Sequence, residues 1–251
     1  MSRVLAVAAR DLRVQLRTPA GWLALAAIQA LAGLFWLMLV DGYVERRADL
    51  VFDPYAAART TLADHLVAPY LGNVAVLLLV LGPAVTMGAL AEERRTGRSE
   101  LLLTSPLRPA ELVAGKALAS LGWVALVLAG TAVLPLALGA WAPVDLGALA
   151  GGYLGLGLLG AVVVGVGLLC SAVTDRQVVA LLLAYVVLMA LWVVGWLDRD
   201  PTSLPSQLSL SAHLRDLLRG AVRRSDLSYL LLLTGWTLFA TWQRVRTWRH
   251  A

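Results

Sequence analysis

The stretch Ala91-Glu92-Glu93-Arg94-Arg95-Thr96-Gly97-Arg98-Ser99-Glu100-Leu101-Leu102-Leu103-Thr104-Ser105-Pro106 is a charged, helix-breaking insert between two apolar runs, Leu66 to Ala91 and Ala117 to Val144. Each run can cross a bilayer, because ~20 apolar residues rising ~1.5 Å each match a hydrocarbon core ~30 Å thick. The insert therefore lies at a membrane surface, where three consecutive leucines among charges call for a soluble partner to cover them. Ala91 to Arg95 extend the second run, Gly97 breaks it and Ser99 can cap a short helix through Leu103. Pro106 stops that helix and Pro109 opens the one that feeds the next run. The pattern predicts a helix, a lateral helix and a return helix, a shape that fits a groove in a partner and passes its movement on.

Four further stretches are free of Asp, Glu, Lys, Arg and His: Thr18 to Val40, Leu146 to Thr174, Gln177 to Leu197 and Leu227 to Gln243. Six spans are predicted, at about 20–40, 68–91, 117–140, 147–173, 177–197 and 227–243, within one all-helical membrane domain over residues 1–251. The last, at 17 residues, is marginal. With 59% hydrophobic and 15% charged residues and a mean hydropathy of +0.76, the chain is too apolar for a soluble globular domain.

Six spans put both termini on one side, and the basic residues choose it. Of the 21 Lys and Arg, thirteen flank the N-terminus, the insert, the turn at Arg176 and the C-terminal tail, against eight on the opposite side, so both termini and the insert are predicted to be cytoplasmic. The net charge of +5 is then a consequence of topology, and nucleic acid is not expected as a partner. Trp22, Trp123, Trp242 and Trp248 fall near the inner ends of spans, and Trp36, Tyr43, Tyr70, Trp141, Tyr153, Trp192, Trp196 and Tyr229 near the outer ends, as two interfacial belts. The first span is too long for a cleavable signal region and is expected to stay as an anchor. Cys170 can form no disulfide within the chain.

Residues 1–17 read as an amphipathic helix on the membrane surface, with Arg3, Arg10, Arg13 and Arg17 on one side and Leu5, Leu12 and Leu16 opposite. Thr18-Pro19 marks the turn into the first span. The outer loop contains a candidate helix from Tyr55 to Leu66. Pro83 and Pro135 predict kinks in the second and third spans. Gly147, Gly151 and Gly155 recur every four residues and allow close helix approach, to a helix of this chain or of a second copy. Before the sixth span, Asp200 or Ser211 can cap a short helix with an apolar face of Leu214, Leu217 and Leu218, ended by Gly220, while Asp226 can cap the span itself.

Catalytic constellations are missing from the sequence. His65, His213 and His250 are scattered, and neither HExxH nor Gly-x-Ser-x-Gly occurs. The spans carry no ionisable residue of the kind proton- or sodium-coupled carriers bury, so the energy for transport is expected from another chain. Gly115-Lys116-Ala117 is no Walker motif, because it lacks the earlier glycine and the following Ser or Thr.

The order Pro83-Ala84-Val85-Thr86-Met87, Ala91 to Gly97, Glu100 to Pro106 and Gly115-Lys116 closely resembles the ABC-2 type permeases, nearest the subgroup of gliding-motility and nitrous-oxide-reductase-maturation permeases. Arg98 departs from that pattern. The resemblance implies the membrane half of an ATP-driven transporter, more often an exporter, in a bacterial or archaeal cytoplasmic membrane. It implies two ATPase chains that bind ATP and Mg, no cofactor in this chain, and a second permease copy, identical or related. By the same resemblance Glu92, Glu93, Arg94, Arg95, Gly97, Glu100, Leu101, Leu102 and Leu103 form the coupling helix that meets the ATPase. The alternative from another class is a membrane-embedded scaffold or maturation factor that moves no solute.

Overall fold

The computed structural model describes residues 3–49, 62–96, 108–142, 144–197 and 203–248, without the side chains of residues 20, 48 and 49. Regular structure among them is entirely helical. A first helix, α1 (Arg3–Arg17), turns at Thr18 into α2 (Pro19–Asp49). A π turn at Ala63–Val67 leads into α3 (Ala68–Thr86), which gives way at Met87 to α4 (Gly88–Arg95). Then come α5 (Pro109–Leu138), α6 (Leu146–Val173), α7 (Gln177–Val193), the short outer helices α8 (Leu204–Leu208) and α9 (Leu210–Leu218), and α10 (Arg224–Thr247).

Five of these segments are long and apolar enough to cross a membrane: Gly21–Arg47, Ala63–Arg95, Pro109–Leu138, Leu146–Val173 and Gln177–Trp196. The helix predicted as a sixth span, α10, has 24 residues, ~36 Å at ~1.5 Å each. Its threonines, Gln243 and flanking arginines keep it outside that apolar class.

Helix α6 is the centre of the molecule. In its apolar window 72% of residues are buried, against 17% for α7, whose Val178, Leu182 and Val186 form an exposed apolar row one turn apart, as a lipid-facing helix requires. Most glycines of α6 face other parts of this chain, whereas a Cβ on Gly157 would meet nothing within 4 Å and one on Gly147 only its own cap Asp145. A Cβ on Gly151 would come within 2.9 Å of Gly220 Cα, and one on Gly155 within 2.9 Å of Leu217 Cβ, so the glycine ridge is the seat of α9. Gly220, at φ +83°, ends α9 as predicted. Its cap is Ser209, whose Oγ accepts from Ala212 N at 3.3 Å. The predicted cap Ser211 instead donates to the Trp192 carbonyl at 2.9 Å, and Asp200 lies outside the described residues. Asp226 does not cap α10 either; it is buried in the first turn and pairs with His213 Nδ1 at 2.7 Å.

Three predicted belt residues, Trp36, Tyr70 and Trp123, are core residues. Trp36 and Tyr70 are buried and meet edge to face, with ring centroids 4.9 Å apart. Pro135 has no N–H for the carbonyl of Thr131, and Tyr70 Oη donates to that oxygen at 2.8 Å, which satisfies the acceptor the proline left unpaired. Trp123 is fully buried as well, whereas Trp22, Trp141 and Trp196 remain exposed at helix ends. Of the helix predicted from Tyr55 to Leu66, only residues from 62 onward are described, and they form the π turn.

The N-terminal helix forms where predicted, but it docks on α5. Val7 sits against Gly115 and Leu12 against Gly122, so small residues on α5 receive the side chains of α1. Val7, which the arginine-side arithmetic places away from the apolar face, is thereby one of its contacts.

Candidate functional site

The charged end of the second span begins at a discontinuity. Pro83 cannot donate within its helix, and four residues later the helix is interrupted at Met87. The first amide groups of α4 need acceptors that Met87, at the cap position, cannot supply. Ser171 of α6 supplies them through space: its Oγ accepts from Leu90 N and Ala91 N, each at 3.0 Å, and donates to the Met87 carbonyl at 2.9 Å. One hydroxyl thus closes the break between α3 and α4.

The acidic and basic residues of α4 point in different directions. Glu93 is buried, and its Oε1 lies 2.8 Å from Lys116 Nζ. Lys116, only 5% exposed, also holds Asp11 Oδ2 of α1 at 3.0 Å. An ammonium group this deep needs anionic partners to offset its desolvation, and two carboxylates provide them. Asp11 is held from its other side by Arg10, at 3.4 Å. The triad joins α1, α4 and α5 at one point.

Glu92 lies on the exposed side and accepts from Gln177 Nε2 of α7 at 3.1 Å. The Arg94 guanidinium reaches the Val173 carbonyl at 3.4 Å and lies 5.1 Å from the centre of the Trp248 ring beyond α10, a cation–π distance. Arg95 is exposed. Thr96 ends α4 with its hydroxyl donating to the Glu92 carbonyl at 2.8 Å. Across the insert, Arg108 N donates to Glu111 Oε2 at 2.8 Å, capping α5 beside Pro109. The other predicted contact residues, Gly97, Glu100, Leu101, Leu102 and Leu103, lie outside the described residues, as does Ser99.

Lys116, predicted as one more cytoplasmic charge, is the hub of a buried ion cluster. A signal was present in Asp11, the one acid in a helix otherwise carrying four arginines. Ser171 carried no comparable signal, since one hydroxyl in a span commonly bonds its own helix.

Around the triad is a cleft of about 330 Å³ between α1, the α3–α4 break, the start of α5 and Gln177. No nucleophile and base meet there among the residues that line it. The arrangement suits mechanical linkage, since polar contacts join α4 directly to α5, α6 and α7 and, through Lys116, to α1.

A model of the ABC-2 family transporter proteins matches residues 54–210, more than half of the 251. No curated protein matches the chain.

Proposed function

Because this chain belongs to the ABC-2 family of transporter proteins, we infer that its charged insert is the point where an ATPase drives it. It is a multi-pass integral membrane protein and the permease subunit of an ABC transporter. Beyond this we propose six spans, with α10 as the sixth, both termini in the cytoplasm of a bacterium or archaeon, and export as the direction of transport. Two ATPase copies would bind the ATP and Mg, and a second permease copy, identical or related, would complete the route. The gliding-motility and nitrous-oxide-maturation permeases are the relatives we favour.

The observation that carries the proposal is the fastening of α4. A segment that ends in exposed Glu92 and Arg95 and continues into residues 97–107 is tied to three other helices, and through Lys116 to α1. Force applied at Gly97 to Leu103 would therefore reach α3 through Ser171 and α1 and α5 through Lys116. Glu92, Arg94, Arg95, Glu100, Leu101, Leu102 and Leu103 are proposed to meet the ATPase, with Glu93 bracing them from behind.

The test replaces Leu101 and Leu103 with glutamate and reconstitutes the permease with its genomically adjacent ATPase in vesicles. The expected outcome is loss of ATP-dependent solute movement while the wild-type pair transports. Normal transport by the double variant would defeat the coupling assignment. A wild-type pair that hydrolyses ATP but moves no solute would favour an anchoring scaffold instead.

A further inference from the structure

We propose that His213 and Asp226 form a proton-operated clasp that holds α8 against α9 and α10. Both ring nitrogens of His213 face acceptors: Nδ1 lies 2.7 Å from Asp226 Oδ1, and Nε2 lies 2.9 Å from the Gln207 carbonyl oxygen. A neutral imidazole has one N–H and one lone pair, whereas the imidazolium donates from both nitrogens. Both contacts are hydrogen bonds only when the His213–Asp226 pair carries one extra proton, wherever between the two that proton sits. Without it, one lone pair of the ring is set against a lone pair of oxygen. Asp226 is 6% exposed and the ring stacks on Tyr229 with centroids 4.2 Å apart, so neither partner can turn to water without leaving its place.

Helix α8 depends on this ring. It buries no residue, and Leu204 and Leu208 are exposed, so apolar contact does little to hold it. The end of a helix leaves carbonyls that need donors from elsewhere. His213 Nε2 serves Gln207 and Tyr229 Oη serves Leu208. Besides Asp226 and Tyr229, the charged and titratable groups around the ring are bonded elsewhere or exposed. On α9 and the start of α10, Asp216 holds Arg223 at 2.9 Å, while Arg215 and Arg224 are exposed. Neither α8 nor the turn Val194–Trp196 carries any. On the spans packed against α9, Tyr70 and Tyr153 bond at Thr131, Tyr185 bonds the Val80 carbonyl, Asp145 caps α6, and Cys170 lies near the opposite end of α6. The closed clasp binds a proton that the open one releases, so closure is favoured at low pH and lost as pH rises.

The test is hydrogen exchange of the full chain in nanodiscs at about pH 5.5 and about pH 8.5, either side of the ~6.5 of an ordinary imidazole, corrected for the intrinsic exchange rates. The Gln207 and Ser209 amides bond the Ser203 and Ser206 carbonyls within α8, and should be roughly three- to ten-fold more protected at the lower pH. His213→Gln keeps a donor for the Gln207 carbonyl but cannot titrate, so the difference should vanish. Asp226→Asn separates a proton clasp from a plain ion pair. The asparagine N–H can donate to Nδ1 of a neutral ring whose Nε2–H still serves Gln207, so α8 should stay protected at both pH values. A plain ion pair would instead lose protection at both. The variant His65→Gln/His250→Gln, with His213 as the one remaining imidazole, should keep the wild-type difference and decides the matter should either other variant fail to fold. Equal protection of wild-type α8 at both pH values, a difference that disappears with His65 and His250, or loss of protection in Asp226→Asn would overturn the clasp. No ATPase or solute is present in this assay, so its failure would leave the permease assignment and the coupling proposal standing.

Discussion

At the scale of single residues, the buried Lys116 illustrates how a charge becomes structural. Its two carboxylate partners, Asp11 and Glu93, are themselves only 17% and 11% exposed at the side chain. Removing the ammonium leaves Asp11 with Arg10 alone and takes from Glu93 its cation, and breaking a buried pair from one side costs about 3–5 kcal/mol. Lys116→Met is therefore expected to lower stability by about that much, measured by denaturation of the detergent-solubilised chain. Adding Asp11→Asn and Glu93→Gln should restore most of the loss, because the penalty belongs to the abandoned charges. A triple variant no more stable than the single one would show that the pair itself, and not the stranded carboxylates, carried the energy. The sequence motif named Glu93 and Lys116 but not Asp11, and no local pattern shows that the three meet, since their meeting depends on three helices converging.

At the scale of elements, the joint between α3 and α4 is held by a hydroxyl from a third helix. Ser171→Ala deprives Leu90 N and Ala91 N of their shared acceptor. Each bond of this kind is worth about 0.5–1.5 kcal/mol, so hydrogen exchange at these two amides should accelerate roughly three- to ten-fold. Protection identical to wild type would mean that α4 keeps its place without the serine. Local signals served the elements unevenly. Pro83 announced a disturbance in the second span, and Gly220 announced the end of α9. The cap Ser209 was overlooked in favour of Ser211, because both hydroxyls suit a cap and only the backbone bend after Leu208 decides which one reaches the Ala212 amide.

At the scale of the molecule, the proposed six-span topology makes a labelling prediction. Cys170 is buried, so cysteines introduced singly at Ser2, Ser105, Ser206 and Thr247 can be read against a quiet background. With an impermeant maleimide on intact cells, only the cysteine at position 206 is expected to react. Labelling at position 247 but not at 2 or 105 would make α10 a surface helix and reduce the spans to five. Against that outcome, α10 packs along α6 from Asp226 at His213 to Trp248 at Arg94 of α4, although it mixes Thr234, Thr237 and Thr241 with its leucines. Those threonines return their hydroxyls to carbonyls of their own helix, which lowers the cost of placing them in hydrocarbon.

Composition and spacing by themselves determined that this chain is a multi-pass helical membrane protein, because only runs of apolar residues long enough to satisfy every backbone group internally can cross a bilayer. They also located the helix ends at Pro19, Pro109 and Gly220, where backbone chemistry acts locally. Only the tertiary structure decided that α1 docks on α5, that the α6 glycines receive α9, and that Glu93 turns inward to Lys116 while Glu92 faces out. Those outcomes rest on which residues distant in sequence come within a few ångströms, and periodicity along one helix carries no information about the helix opposite.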